Sequence, residues 1–132
     1  MPGLQHFQQY KLVLEFGRRI VMDCLFCKIV SGQIPAKLVH QGDSVIAFDD
    51  INPQAPTHVL IIPKKHFENV GELAANDPLA LKELFIAAKE IAAARALAGY
   101  RTVFNTGAEA GQSVFHAHLH LIGGRALQWP PG

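Results

Sequence analysis

The sequence predicts an α+β domain, in which an antiparallel five-stranded sheet carries one long helix and a short helix near the N-terminal end. Three observations support this fold class. The chain has 132 residues, of which 49% are hydrophobic, and this is enough for one modest core. Short apolar runs bounded by glycine and proline are typical of strands. One much longer segment instead has its apolar positions at helical spacing.

The short helix is predicted over 25–31, because its apolar residues recur at helical spacing. These residues are Leu25, Phe26, Ile29 and Val30. The glycine of the Ser31-Gly32 pair predicts its end, since glycine accepts the left-handed backbone of a helix C-terminus.

The five strands are predicted at 34–39, 45–48, 58–62, 101–105 and 115–122, arranged as a meander. Two prolines interrupt 52–56, so that segment is predicted as the loop between the second and third strands. Two consecutive glycines, Gly123 and Gly124, close the fifth strand.

The long helix is predicted over 78–98. Its apolar face is Leu81, Leu84, Phe85, Ala88, Ile91 and Ala92. Asp77 is the predicted N-cap before Pro78, and Gly99 predicts the helix end.

Composition excludes several classes of protein. A net charge of +1 does not fit a protein that holds extended nucleic acid, and no apolar run approaches the roughly 20 residues of a membrane span. Two cysteines do not make a disulfide framework, so we expect a cytoplasmic protein.

The first 21 residues differ in character from the rest. We interpret 1–21 as an N-terminal extension that is disordered or not native, and 22–132 as the domain, because Met22 directly precedes the first predicted helix. Arg18 and Arg19 also suggest a transit peptide.

Three of the seven histidines stand at alternate positions, His116, His118 and His120. Alternate side chains of a strand share a face, so these imidazoles are expected to point the same way. One interpretation is zinc binding, since zinc accepts imidazole nitrogen. The other is covalent catalysis, since neutral imidazole is a nucleophile near pH 7.

The preceding loop favours covalent catalysis. Gly107, Gly111, Gln112 and Ser113 lie directly upstream of the histidines. Glycines allow backbone N–H groups to form an anion-binding nest, and the Ser113 hydroxyl can donate to a phosphate oxygen.

With these histidines the sequence resembles the histidine-triad (HIT) family, whose signature is His-φ-His-φ-His-φ-φ with φ apolar. Residues 116–122 read His-Ala-His-Leu-His-Leu-Ile, and a third histidine is typical of the hydrolases, whereas the nucleotidyl transferases carry glutamine there. Segments similar to the Hint branch of purine nucleoside phosphoramidases are 55–58, 62–66, 111–114 and 129–132. The dinucleoside-polyphosphate hydrolase branch is less similar. The resemblance covers 24–132 and implies a HIT-like fold whose sheet extends across a homodimer.

The resemblance also implies catalytic roles. His118 would be the nucleophile that forms a nucleotidyl-histidine intermediate, with the backbone carbonyl of His116 holding its proton-bearing nitrogen. His120 and Ser113 would contact the phosphate, with Ser113 near the departing amine. His58 would support the triad through His116.

For the nucleotide, the resemblance implies ribose binding by Asp50 and a site in the partner subunit completed by Trp129. Residues expected to face the phosphate are Asn105 and the amides of Gly111, Gln112 and Ser113. Residues expected to line the purine pocket are Leu25, Phe26, Ile29, Phe48 and Ile51.

The cysteine pair is interpreted through the same resemblance. Some bacterial members carry Cys-φ-Phe-Cys here, as Cys24 and Cys27 do, and complete a structural zinc site with histidines that match His66 and His116. Two buried thiols or a redox pair remain alternatives.

The resulting expectation is a hydrolase of the phosphorus–nitrogen bond in purine nucleoside 5′-phosphoramidates, such as AMP-lysine or AMP-NH2, that needs no cofactor for catalysis. A nucleotide-binding regulatory protein is one alternative. A zinc-dependent hydrolase whose triad binds a catalytic metal is the other.

Overall fold

The structure is a computed structural model that describes residues 23–132, so the predicted extension 1–21 lies outside the described residues. The elements in chain order are α1 (Leu25–Ser31), β1 (Leu38–Gln41), β2 (Val45–Asp49), β3 (Thr57–Pro63), α2 (Val70–Asn76), α3 (Pro78–Ala94), β4 (Tyr100–Val103) and β5 (Leu119–Gly123). A single 3-10 turn at Ala108–Ala110 precedes β5. Between residues 23 and 132, no helix is both long and apolar enough to cross a membrane.

The predicted antiparallel sheet of five strands is confirmed, with the order β1-β2-β3-β5-β4 and antiparallel pairing throughout. The meander arrangement is wrong, because β5 lies between β3 and β4. The connection from β3 to β4 contains α2 and α3, and it is long enough to place β4 one strand position away from β3. Strand β5 then fills the position between them.

Each face of the sheet packs against a helix, as the alternation of side chains requires. One face buries Val59, Ile61, Leu119 and Leu121 with the apolar side of α3. The opposite face buries a cluster that includes residues of α1; it comprises Cys24, Phe26, Ile46, Phe48, Leu60 and Ile62. The α1 face is where the histidines lie.

Several features differ from the prediction, including the start of β1, which is at Leu38 rather than at 34, and the end of β4, which is at Val103 rather than at 105. Strand β5 begins at Leu119 rather than at 115, so His116 and His118 precede the strand. Helix α2 was not predicted; it is short, and only Leu73 among its residues is buried. On α3, Phe85 is 45% exposed rather than part of the buried face.

The predicted N-cap of α3 is confirmed, since the Asp77 side chain accepts a hydrogen bond from the Ala80 amide. The helix ends at Ala94 instead of 98. Ala96 has a φ of 54°, and the amides of Ala96 and Leu97 donate to the carbonyls of Ala93 and Ala92. This is a Schellman motif with alanine in the left-handed position, so Gly99 is not the residue that ends the helix.

Candidate active site

A cavity of about 680 Å³ lies between α1 and the sheet, beside the start of β5. The predicted site residues that line it are Leu25, Phe26, Ile29, Phe48, Asp50, Ile51, Ser113, His118 and His120. Lining residues that the sequence did not single out are Ile34, Pro35, Ala36, Lys37, Asp49, Leu60 and Val114. One wall is apolar and the other carries the histidines and Asp50, which suits a ligand with one apolar and one charged end.

The ring of His118 is held at one nitrogen. Its Nδ1 lies 2.8 Å from the carbonyl oxygen of His116, and a carbonyl only accepts, so Nδ1 carries the proton. The Nε2 of the neutral ring therefore has a free electron pair. The edge of Phe26 packs against the ring, with centroids 5.1 Å apart at 88°. Burial lowers the pKa of His118 below its ordinary value of 6.5, which keeps the ring neutral and nucleophilic near pH 7.

The tautomer of His120 follows from a chain of hydrogen bonds. The Gln54 amide donates to His58 Nδ1 at 3.0 Å, so a neutral His58 carries its proton on Nε2. His58 Nε2 lies 2.9 Å from His120 Nδ1 and donates to it. His120 must then carry its own proton on Nε2. That atom is buried and has no hydrogen-bond partner among residues 23–132, so it is a donor available to a ligand.

The pKa of His120 is lowered to about 4, first by burial and then by the neighbouring imidazoles of His118 and His58. A ring that stays neutral keeps the donor and acceptor assignment described above. The two neighbouring histidines thus present different Nε2 atoms to the cavity, an electron pair on His118 and an N–H group on His120.

His58 does not support the triad through His116, as the sequence analysis expected. In the register of β3 with β5, Leu60 pairs with His120 and His58 pairs with Ile122, so His58 lies diagonal to His120. His116 lies at the other end of β3, where its Nε2 is 2.8 Å from the Pro63 carbonyl. Pairing register thus determines which histidine His58 can reach.

Asp50 lies where the ribose ligand was expected, at the end of β2 on the cavity wall. Its Oδ1 accepts from the Asn52 amide at 2.8 Å, and its Oδ2 lies 3.5 Å from His58 Nε2. The side chain is 19% exposed, so it is fixed by these contacts but open to a ligand.

The loop before the triad brings Ser113 and Val114 to the cavity, but not Gly111 or Gln112. The amides of Gly111 and Gln112 donate to carbonyls within the loop, so they are not free to hold a phosphate. The buried Gln112 side chain instead braces the loop, accepting from the Gly107 amide at 2.8 Å and donating to the carbonyls of Glu68 and Val114. Asn105 lies beside Gly111 rather than in the cavity wall, which leaves Ser113 as the polar group that this loop contributes.

Trp129 lies outside the cavity of its own chain and is 81% exposed. Ile51 lines the cavity mouth and is fully exposed. Both are apolar surfaces that nothing within residues 23–132 covers.

A second group of side chains lies behind His118. We call Cys24, Cys27, His66 and His116 the metal cluster, since one potential ligand atom from each lies within 4.8 Å of the others. Cys24 Sγ and Cys27 Sγ lie 3.4 and 3.6 Å from His116 Nδ1, Cys27 Sγ lies 3.4 Å from His66 Nδ1, and the two Nδ1 atoms are 3.3 Å apart. Zinc with bonds of about 2.3 Å to sulfur and 2.0–2.1 Å to nitrogen separates its tetrahedral ligand atoms by roughly 3.3–3.8 Å. The residues therefore fit a zinc ion.

Protonation in the metal cluster also suits a metal. His116 Nε2 donates to the Pro63 carbonyl, which leaves the Nδ1 electron pair directed at the cysteines. The hydrogen bond from Cys27 lowers the pKa of the Cys24 thiol, and those from His116 and His66 add to this, against burial, which raises it. The contact with Cys24, together with burial, raises the pKa of Cys27. A metal ligand must be deprotonated, and this environment already favours one thiolate.

The triad histidines do not converge on one point. His116 belongs to the metal cluster, whereas His120 groups with Asp50 and His58, and His118 belongs to neither set. The alternative in which all three histidines hold one catalytic metal therefore does not match the geometry.

The chain is similar to known proteins in both sequence and fold. Residues 23–128 match the family described as "Scavenger mRNA decapping enzyme C-term binding". An uncharacterized HIT-like protein of Synechococcus elongatus is 49% identical over 111 residues, which cover 83% of this chain and 97% of that protein. A HIT family hydrolase from Legionella pneumophila has a crystal structure that is similar with a TM-score of 0.79 at 51% identity, covering 83% of this chain and 99% of the other. A HIT family hydrolase from Clostridium thermocellum has a TM-score of 0.78 at 42% identity, covering 83% and 96%.

Proposed function

The chain belongs to the histidine-triad (HIT) family, and from this membership and the cavity we propose that it hydrolyses the phosphorus–nitrogen bond of purine nucleoside 5′-phosphoramidates, of the AMP-lysine or AMP-NH2 type. Relatives named HIT family hydrolases support the broader reaction class, a hydrolase that binds nucleotides. The observation that carries the finer proposal is the 2.8 Å contact of His118 Nδ1 with the His116 carbonyl, because it leaves Nε2 as a nucleophile at the cavity.

In the first step, His118 Nε2 forms a bond to phosphorus while the bond from phosphorus to the amine breaks, with inversion. The Ser113 hydroxyl would donate a proton to the departing amine, and the water that attacks in the second step would give up the proton that restores this hydroxyl. In the second step, water attacks the nucleotidyl-histidine, the phosphorus–Nε2 bond breaks, and a nucleoside monophosphate leaves. His118 regains its electron pair, so the cycle needs no redox change and no cofactor.

The phosphate would lie between His118 and His120. The buried Nε2–H of His120 offers a donor for a phosphate oxygen, which satisfies both groups at once. Because His120 is neutral, it stabilises developing negative charge by a hydrogen bond rather than as a cation.

Ribose and base would occupy the rest of the cavity. Asp50 has the two acceptor oxygens that suit adjacent hydroxyls, and Phe26 and Phe48 form an apolar corner with ring centroids 5.6 Å apart. The cavity volume of about 680 Å³ lies within the usual range for small-molecule sites, roughly 300–1,000 Å³.

We further propose that the metal cluster holds a structural zinc ion, which supplies a crosslink between α1 and the sheet and takes no part in the reaction. The chemistry of the donor set supports it, since two thiols and two imidazoles make a closed tetrahedral site.

A homodimer in the cytoplasm, with the sheet continued across it, also remains our proposal. The edge position of β4 supports it, since an edge strand has unpaired backbone groups. The exposed Tyr100 on that strand and the exposed Trp129 near the C-terminal end are apolar surfaces that a partner subunit would cover.

The direct test of the activity is hydrolysis of adenosine 5′-phosphoramidate by the wild type and by His118→Ala. We expect turnover only in the wild type, with AMP binding retained in both, since the substitution removes the nucleophile but not the walls of the cavity. A wild type that binds AMP without turnover would instead favour the regulatory alternative.

A further inference from the structure

We propose that the metal cluster positions the active site: with an ion bound, it fixes the His116 carbonyl that orients His118 and holds α1 as a wall of the nucleotide cavity. The inference rests on the proposed function for the identity of the ligand, a purine nucleotide. It goes beyond that function because it makes nucleotide affinity depend on an ion that touches no nucleotide.

His116 joins the two sites through different atoms of one residue. Its Nδ1 faces the sulfur atoms of Cys24 and Cys27, its Nε2 donates to the Pro63 carbonyl, and its own carbonyl accepts from His118 Nδ1. The side chain is 0% exposed. A shift of the ring within the metal cluster therefore moves the backbone that sets the tautomer of the nucleophile.

Helix α1 joins the same two sites a second time. Cys24 is its N-cap, with Sγ accepting from the Cys27 amide at 3.3 Å, so both sulfur ligands lie in the first turn. Phe26, between them in sequence, packs on the ring of His118, and Leu25 and Ile29 line the cavity. Isolated helices shorter than about 12–15 residues are marginal, so a helix of seven residues depends on its anchors.

His66 allows the cluster to be tested without touching the cavity. It contributes Nδ1 to the metal cluster but does not line the cavity, and its ring packs on His116 with centroids 5.0 Å apart. If substitution of His66 lowers the affinity for the nucleotide, the effect must therefore act through the metal cluster. Its exposed neighbour Lys65 lies in neither site and provides the matched control.

The experiment measures zinc content and the Kd for AMP by calorimetry in the wild type, His66→Ala and Lys65→Ala. Metal-free wild type, prepared with a chelator, is the second preparation and covers the case of a variant that keeps its ion. We expect loss of zinc to weaken AMP binding about tenfold or more, with Lys65→Ala unchanged, since groups that orient a site through ligands typically contribute on this scale. Circular dichroism should show the sheet retained.

A spectroscopic readout separates positioning from general loosening. In ¹⁵N spectra of the imidazole groups, zinc-loaded protein should show His118 with a single Nδ1–H tautomer, and metal-free protein should show a mixture of tautomers. Returning zinc to the metal-free wild type should restore both the tautomer and the AMP affinity.

Equal AMP affinity and an unchanged His118 tautomer with and without zinc would overturn the inference. Unfolding of the whole protein on zinc removal would also overturn it, because the ion would then stabilise the fold and not position a site. Failure of zinc-loaded wild type to bind AMP would contradict the proposed function, and the tautomer measurement would still decide whether the cluster orients His118.

Discussion

His58 Nε2 lies 2.9 Å from His120 Nδ1, across the pairing of β3 with β5. With the Gln54 amide bonded to the far side of its ring, His58 can only donate at this contact while neutral. In the reaction that we propose, His58 would thus be a positioning residue that acts on the phosphate through His120.

Substitution His58→Ala should lower kcat by about 10- to 100-fold, because His120 would no longer be held as a donor at Nε2. KM should change less, since the apolar walls stay in place. Steady-state kinetics with adenosine 5′-phosphoramidate measures both. His40→Ala, in β1 and outside the cavity, is the control and should match the wild type. An equal kcat for His58→Ala and wild type would show that the contact has no role in orientation.

The stability of the folded protein should decrease as the pH is lowered, because His120 titrates. Its pKa is about 4 in the folded protein, because burial and neighbouring imidazoles oppose protonation, and 6.5 when unperturbed. Between these values the unfolded chain binds a proton at His120 that the folded protein does not bind. The contribution of neutral His120 to the free energy of unfolding is therefore complete above pH 6.5 and is lost as the pH falls toward 4. Urea unfolding from pH 7.5 to 4.5 should therefore show a steeper loss for the wild type than for His120→Gln. Parallel curves would contradict the assignment.

Ala96→Gly should stabilise the protein by about 0.5–1 kcal/mol, because alanine at a φ of 54° carries a steric cost that glycine avoids, offset in part by the greater entropy of unfolded glycine. The control is Ala94→Gly, two residues earlier at the last position of α3, where the backbone is helical and glycine should destabilise the protein instead. Thermal unfolding of the two variants measures the difference. Destabilisation in both would mean that Ala96 is not strained.

Local pattern was enough to predict much of this protein. The alternation of His116, His118 and His120 places them on one face, although only His120 lies in the strand. The Asp77 cap of α3 and its apolar periodicity, with the exception of Phe85, were also correctly predicted. Helix α2 lacks a comparable apolar stripe, so the periodicity of its sequence does not predict a helix.

Features that depend on strand register or on hydrogen bonds within a loop could not be predicted from local sequence patterns. The partner of His58 is decided by the pairing of β3 with β5, and no local signal encodes it. Likewise, the glycines before Ser113 indicated free amides, but the Gln112 side chain folds the loop so that those amides donate inward. The sequence predicts residues 34–37 as the start of a strand, whereas in the structure they precede β1 and line the cavity. Pro35 is the signal that this segment is not regular strand.

The proposed reaction requires a bond between His118 Nε2 and phosphorus. The measurement is mass spectrometry of protein quenched in acid-free conditions during turnover of adenosine 5′-phosphoramidate, with the wild type beside His118→Ala. We expect a nucleotidyl adduct that maps to His118 and is absent from the variant. Turnover with no adduct, together with activity in the variant, would contradict covalent catalysis by His118 and require another group to attack the phosphorus.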